Sequence, residues 1–79
     1  MADVKQAIWD IALEFGEKGS GFAQTQPVVR EAMQRLGLRQ ATAKQQQEVL
    51  TAYYDLFREG VLSWGYDNDN PEPPFFHIV

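Results

Sequence analysis

The chain has no cysteine. That excludes disulfides and thiolate zinc sites and fits a reducing cytoplasm, where the protein is expected to reside. It has one histidine, His77, and one histidine alone cannot build a multi-histidine metal centre. No apolar run approaches the roughly 18 residues needed to span a bilayer, so no membrane association is expected. The first residues, Met1-Ala2-Asp3-Val4-Lys5, lack the basic-then-apolar order of a signal peptide. Positive charge is scarce: seven Lys and Arg face eleven Asp and Glu, a net charge of −4. A strongly basic domain would point to nucleic acid, and this total does not. No pair of groups is poised for acid–base or nucleophilic work. The chain is therefore not expected to be an enzyme, and no cofactor, metal or small-molecule substrate is evident.

What is present describes one small domain. Seventy-nine residues bury only about 60% of their unfolded surface. A hydrophobic fraction of 44% and an aromatic fraction of 13% still suffice for a core, which argues against disorder. Charge is unevenly distributed. Residues 30 to 47 carry Arg30, Arg35, Arg39 and Lys44 against Glu31 alone, net +3. Residues 48 to 79 carry Arg58 against six acidic residues, net −5.

Periodicity gives three helices. Val4, Ile8, Ile11 and Phe15 recur on one face of a helix from about Val4 to Phe15. Asp3 is its cap, with Gln6 three residues on, and Gly16 is expected to end it. Gly16 to Gly21 reads as a turn, and Phe22-Ala23-Gln24 as a short strand. The second helix is expected from about Gln26 to Leu36. Thr25 is its cap, Pro27 sits in the first turn, and Val29, Ala32, Met33 and Leu36 form its apolar face. Gly37 stops it. The third runs from about Ala43 to Glu59, opened by the Thr42-x-x-Gln45 capping box and closed by Gly60. Val49, Tyr53, Leu56 and Phe57 face inward, and by wheel angle Gln46 also turns toward the core.

After Gly60 the pattern changes. Val61 to Tyr66 alternates as a strand, with Leu62, Trp64 and Tyr66 on one side. Asp67-Asn68-Asp69-Asn70-Pro71-Glu72-Pro73-Pro74 is a loop by composition. Phe75 to Val79 returns as an antiparallel strand. The chain stops inside this apolar strand. A complete small protein and a domain cut from a longer chain both fit, and the second is the expectation.

A helix stopped at Gly60, followed by strand, turn-rich loop and strand, resembles the third helix and β-wing of a winged helix-turn-helix domain. Phe57-Arg58-Glu59-Gly60-Val61-Leu62 with Pro74-Phe75-Phe76-His77 resembles segments of uncharacterised bacterial winged-helix proteins. The likeness covers nearly the whole chain and implies an α+β winged helix: three helices plus a small antiparallel sheet. It implies no catalytic activity. It does imply that the third helix is the recognition element, whose N-terminal half enters the major groove.

That helix carries Lys44, Gln47, Glu48 and Thr51 opposite its core face, with Asp55 and Arg58 further along. The residues expected to meet nucleic acid are Arg39, Lys44, Gln45, Gln47 and Thr51. Glutamine can read adenine, while Lys44 and Arg39 suit phosphate or guanine. The helix N-terminus favours a phosphate. A plain solvated face accounts for the same residues. Asp67, Asp69 and Glu72 oppose contact between the wing and phosphate. Duplex DNA is the first expected partner and another protein the second. Exposed aromatics mark protein interfaces, and Trp9 and Tyr54 fall outside the core faces. The other aromatics read as core.

Three further patterns are set aside. Asp67-Asn68-Asp69-Asn70 imitates an EF-hand start, but the sixth position is Glu72 where glycine is needed, and the twelfth is Ile78 where glutamate is needed. Gly16, Gly19 and Gly21 form neither a dinucleotide fingerprint nor a P-loop and read as an interhelical turn. His77, between Phe76 and Ile78, reads as structural or as exposed on the outer sheet face.

Overall fold

The computed structural model describes residues 3–79, so Met1 and Ala2, at the head of the stretch read for a signal peptide, lie outside it. Three helices, α1 (Val4–Lys18), α2 (Thr25–Arg35) and α3 (Ala43–Arg58), precede two strands, β1 (Leu62–Trp64) and β2 (Phe76–Ile78). The strands pair antiparallel, Leu62 opposite Ile78, Ser63 opposite His77 and Trp64 opposite Phe76. The arrangement is α+β with a winged-helix-like topology. No helix among the described residues is long and apolar enough to cross a membrane.

Local chemistry sets the helix ends. The Thr42 hydroxyl accepts from the Gln45 N–H at 3.2 Å, and the Gln45 side chain accepts from the Thr42 N–H at 2.9 Å. This reciprocal box satisfies two donors that helix geometry leaves without partners. At the far end Gly60 adopts φ 78°. Its N–H bonds to Phe57 and that of Val61 to Leu56, which closes the terminal carbonyls in a Schellman motif. Gly37, at φ 74°, ends α2 in the same way, with bonds from Gly37 to Gln34 and from Leu38 to Met33.

Two helix boundaries differ from expectation. First, α1 does not stop at Gly16 but runs on to Lys18. A Cβ at position 16 would lie 3.3 Å from Ile78 Cγ1, so the glycine admits β2 against the helix. The modest cost of glycine in a helix, about 1 kcal/mol, is offset by that close packing. Second, Thr25 is not the cap of α2 but its first residue. Its hydroxyl is turned away from the helix end and donates to the Tyr53 hydroxyl at 3.0 Å. Its backbone N–H bonds to the Pro74 carbonyl.

Ile8, Ile11, Ala12 and Phe15 of α1 pack with Val28, Val29 and Ala32 of α2 and with Val49, Tyr53 and Leu56 of α3. Leu62 and Phe76 close the core from the sheet. Val28 takes an inward place that the periodicity assigned to Met33 and Leu36, which are half-buried. Burial pushes the Tyr53 phenol well above its ordinary pKa, so the Thr25–Tyr53 pair is a neutral bond tying α2 to α3.

Both strands are shorter than the alternation suggested. Gly65, at φ 97°, bends the chain out of β1, and the Gly65 N–H still reaches the Phe75 carbonyl. The 22–24 segment forms no strand of its own. It contributes one bridge, Gln24 to Phe75, and the Ala23 carbonyl accepts from the Phe76 N–H.

Candidate nucleic-acid interface

The capping box that starts α3 also decides which of its side chains are free. Gln45, expected at the interface, is half-buried and its carboxamide oxygen is engaged at Thr42. Gln46 is exposed rather than core-facing, and its amide donates to the Ala41 carbonyl at 3.0 Å. Lys44, Gln47 and Thr51 are exposed, as is Glu48 beside them. Arg39 is exposed in the turn that leads into α3. Thus Lys44, Gln47 and Thr51 lie exposed on one face of α3, Arg39 is exposed in the turn before it, and Gln45 builds the helix end.

The cations divide into two groups. Lys5 pairs with Glu59, Lys18 with Glu14 at 3.5 Å, and Arg58 with Asp55 at 3.5 Å. Arg35, which the charge distribution grouped with the basic segment, instead bonds Glu14 at 2.9 Å and Glu31 at 3.4 Å. The hydrogen bond from Arg35 holds the Glu14 carboxyl below its ordinary pKa and raises that of Arg35 in turn. Among the described residues Arg30, Arg39 and Lys44 form no such pair. Arg30 and Arg39 line one depression of 620 Å³ floored by Met33 and Leu38. Arg30 and Met33 also border a second depression of 300 Å³, which reaches Gln46 and Leu50 of α3. Arg30 of α2 and Arg39 of the α2–α3 turn therefore share one depression, while Lys44 stands exposed in the first turn of α3.

The wing is built differently. The Asp67 carboxylate accepts from the N–H groups of Asp69 and Asn70, at 3.1 and 2.8 Å, and so shapes the turn itself. Asp69 and Glu72 are exposed and pair with no cation among the described residues. Gly65 lies under the turn, where a Cβ would meet the Pro71 carbonyl oxygen at 2.9 Å. His77 donates from Nδ1 to the Gly65 carbonyl at 2.6 Å, which gives it a structural task at the wing base. Among the described residues no group of three or more His, Asp or Glu is placed to hold a metal ion.

An aromatic flank also emerges, which periodicity only half exposed. Tyr54 is 41% exposed. Trp64 stacks on Phe57 at 4.0 Å and meets Tyr54 at 6.3 Å. Tyr54 follows Gln47 by seven residues and Thr51 by three, the spacing of one helical face. Trp64 gave no such signal, because its neighbours come from α3 and the wing base. Trp9, also considered for an interface, is half-buried and packed against the core.

Comparison with family models, with curated proteins and with solved structures finds no match to this chain.

Proposed function

We propose that this domain binds duplex DNA through α3 and the α2–α3 turn, with the wing held off the phosphates. One observation carries the reading: among the described residues Arg39 in the α2–α3 turn and Lys44 at the start of α3 are exposed without carboxylate partners, and Arg30 of α2, also without one, shares a depression with Arg39. A cation already neutralised gains little from phosphate, whereas a free one releases counterions on binding. The N–H groups of Ala43 and Lys44 have no acceptor among the described residues, so the start of α3 offers a phosphate two backbone donors. Gln47 and Thr51, one turn apart, supply side chains for base edges. The protein acts in the cytoplasm on this reading, as a bacterial helix-turn-helix module.

Lys44→Ala tests it. Binding to all duplex sequences should weaken, and the salt slope should fall by about one phosphate's worth. Gln47→Ala should instead lose discrimination at one base position, roughly 1–3 kcal/mol. Identical behaviour of both variants and the wild type would reject the α3 face. A protein partner is the second reading, favoured by the exposed Tyr54 and the cleft beside it.

A further inference from the structure

Between α3 and the wing base lies a cleft of 460 Å³, bordered by Gln26, Tyr54, Trp64, Pro73 and Pro74. Ligand-sized clefts begin at about 300 Å³. Its walls combine the aromatic planes of Tyr54 and Trp64 with the polar side chains of Gln24, Thr25 and Gln26. Tyr54 and Trp64 meet at 57°, which makes a notch rather than a flat patch, and Phe57 stacked behind Trp64 fixes the indole. The described residues offer no acceptor to the Trp64 indole N–H. Among the described residues no buried side-chain nitrogen or oxygen lacks a partner, so this N–H reaches solvent. The Gln26 carboxamide is exposed at the rim. The Glu72 carboxylate, free of cations among the described residues, immediately precedes the two prolines.

We propose that this cleft docks a proline-rich, arginine-bearing segment of a partner protein in the polyproline II conformation. The inference rests on the protein-partner reading and uses none of the cations assigned to DNA. Each feature selects this occupant. Angled aromatic walls accept proline rings, and the polyproline helix is preformed, so little entropy is lost on docking. It has no internal hydrogen bonds, so its carbonyls are free to accept from the Trp64 indole and the Gln26 amide. An α-helix would bring carbonyls already satisfied. The exposed Glu72 carboxylate, next in sequence to the cleft-lining Pro73, complements an arginine and opposes an acidic ligand.

The test uses the full chain and a synthetic proline-rich peptide ending in arginine, followed through the Trp64 indole N–H resonance. The expected result is a saturable shift of that resonance. Tyr54→Ala should weaken affinity about tenfold, since exposed aromatic anchors dominate such contacts. Glu72→Gln, a surface change that leaves the core intact, should weaken it less and flatten its salt dependence. Replacing the peptide's arginine by glutamate should remove most binding. Lys44→Ala, which weakens DNA binding on the reading above, should leave the peptide affinity unchanged. No indole shift at millimolar peptide overturns the proposal. So does an affinity unchanged in both Tyr54→Ala and Glu72→Gln.

Discussion

The α2–α3 turn and the wing occupy the same small domain and handle charge in opposite ways. On α2, in the turn and at the start of α3, Arg30, Arg39 and Lys44 stand exposed without carboxylate partners among the described residues. At the wing, Asp69 and Glu72 stand exposed without cations, and Asp67 is consumed by the turn it shapes. Elsewhere Glu14, Glu31, Asp55 and Glu59 are taken up by ion pairs, while Asp3, Asp10, Glu17 and Glu48 pair with no cation among the described residues. A net charge of −4 hides this division. What a partner meets is the local, unpaired charge, because exposed charges act over about one Debye length, near 8 Å at physiological salt.

The largest expected effect tests whether the two regions share one core. Leu56 is 3% exposed and packs among side chains from all three helices and the sheet. Leu56→Ala should cost about 2–5 kcal/mol and melt turn and wing together. A melting temperature unchanged in this variant would show that the α3 core face is misassigned.

Gly65→Ala should separate the regions. The added Cβ meets the Pro71 carbonyl oxygen at 2.9 Å on a backbone at φ 97°. The strain should cost about 1–3 kcal/mol and fall on the wing. Amide exchange should quicken at Tyr66 and Asn70 while α2 and α3 keep their protection. Uniform loss of protection would show that the wing and the helices unfold as one unit.

The smallest effect concerns the acidic loop. Asp69→Asn with Glu72→Gln should strengthen nonspecific duplex binding a few-fold at low salt, and the gain should vanish as salt rises. Asp67 is best left alone, since its carboxylate holds the turn. An unchanged or weaker affinity would mean that the wing does not oppose DNA.

Local features were legible in the sequence, and contacts between distant segments were not. The Thr42–Gln45 box and the glycine stops at 37 and 60 depend on neighbours within six residues, and the structure contains them as expected. Ile8, Ile11 and Phe15 of α1 and Val49, Tyr53 and Leu56 of α3 lie inward as the helical period gave, whereas Val4 and Phe57 are half-buried and Gln46 is exposed. Gly16 misled because its reason is Ile78, on a strand at the other end of the chain. Thr25 misled because Tyr53 takes its hydroxyl. Arg35 looked like part of a basic patch until Glu14, from α1, turned it aside. For the site, Lys44, Gln47 and Thr51 were readable from wheel angle, and their exposure agrees. The cleft was not readable, since Trp64, Pro73 and Pro74 join Tyr54 only once the wing folds back on α3.

The central claim is that unpaired cations at the α2–α3 turn meet duplex DNA. A titration of the wild-type domain with duplex DNA across a salt series tests it most directly. With Arg30, Arg39 and Lys44 each engaging one phosphate, log K should fall against log salt with a slope of about −2.7, near 0.9 per contact. No duplex binding even at low salt would contradict the account.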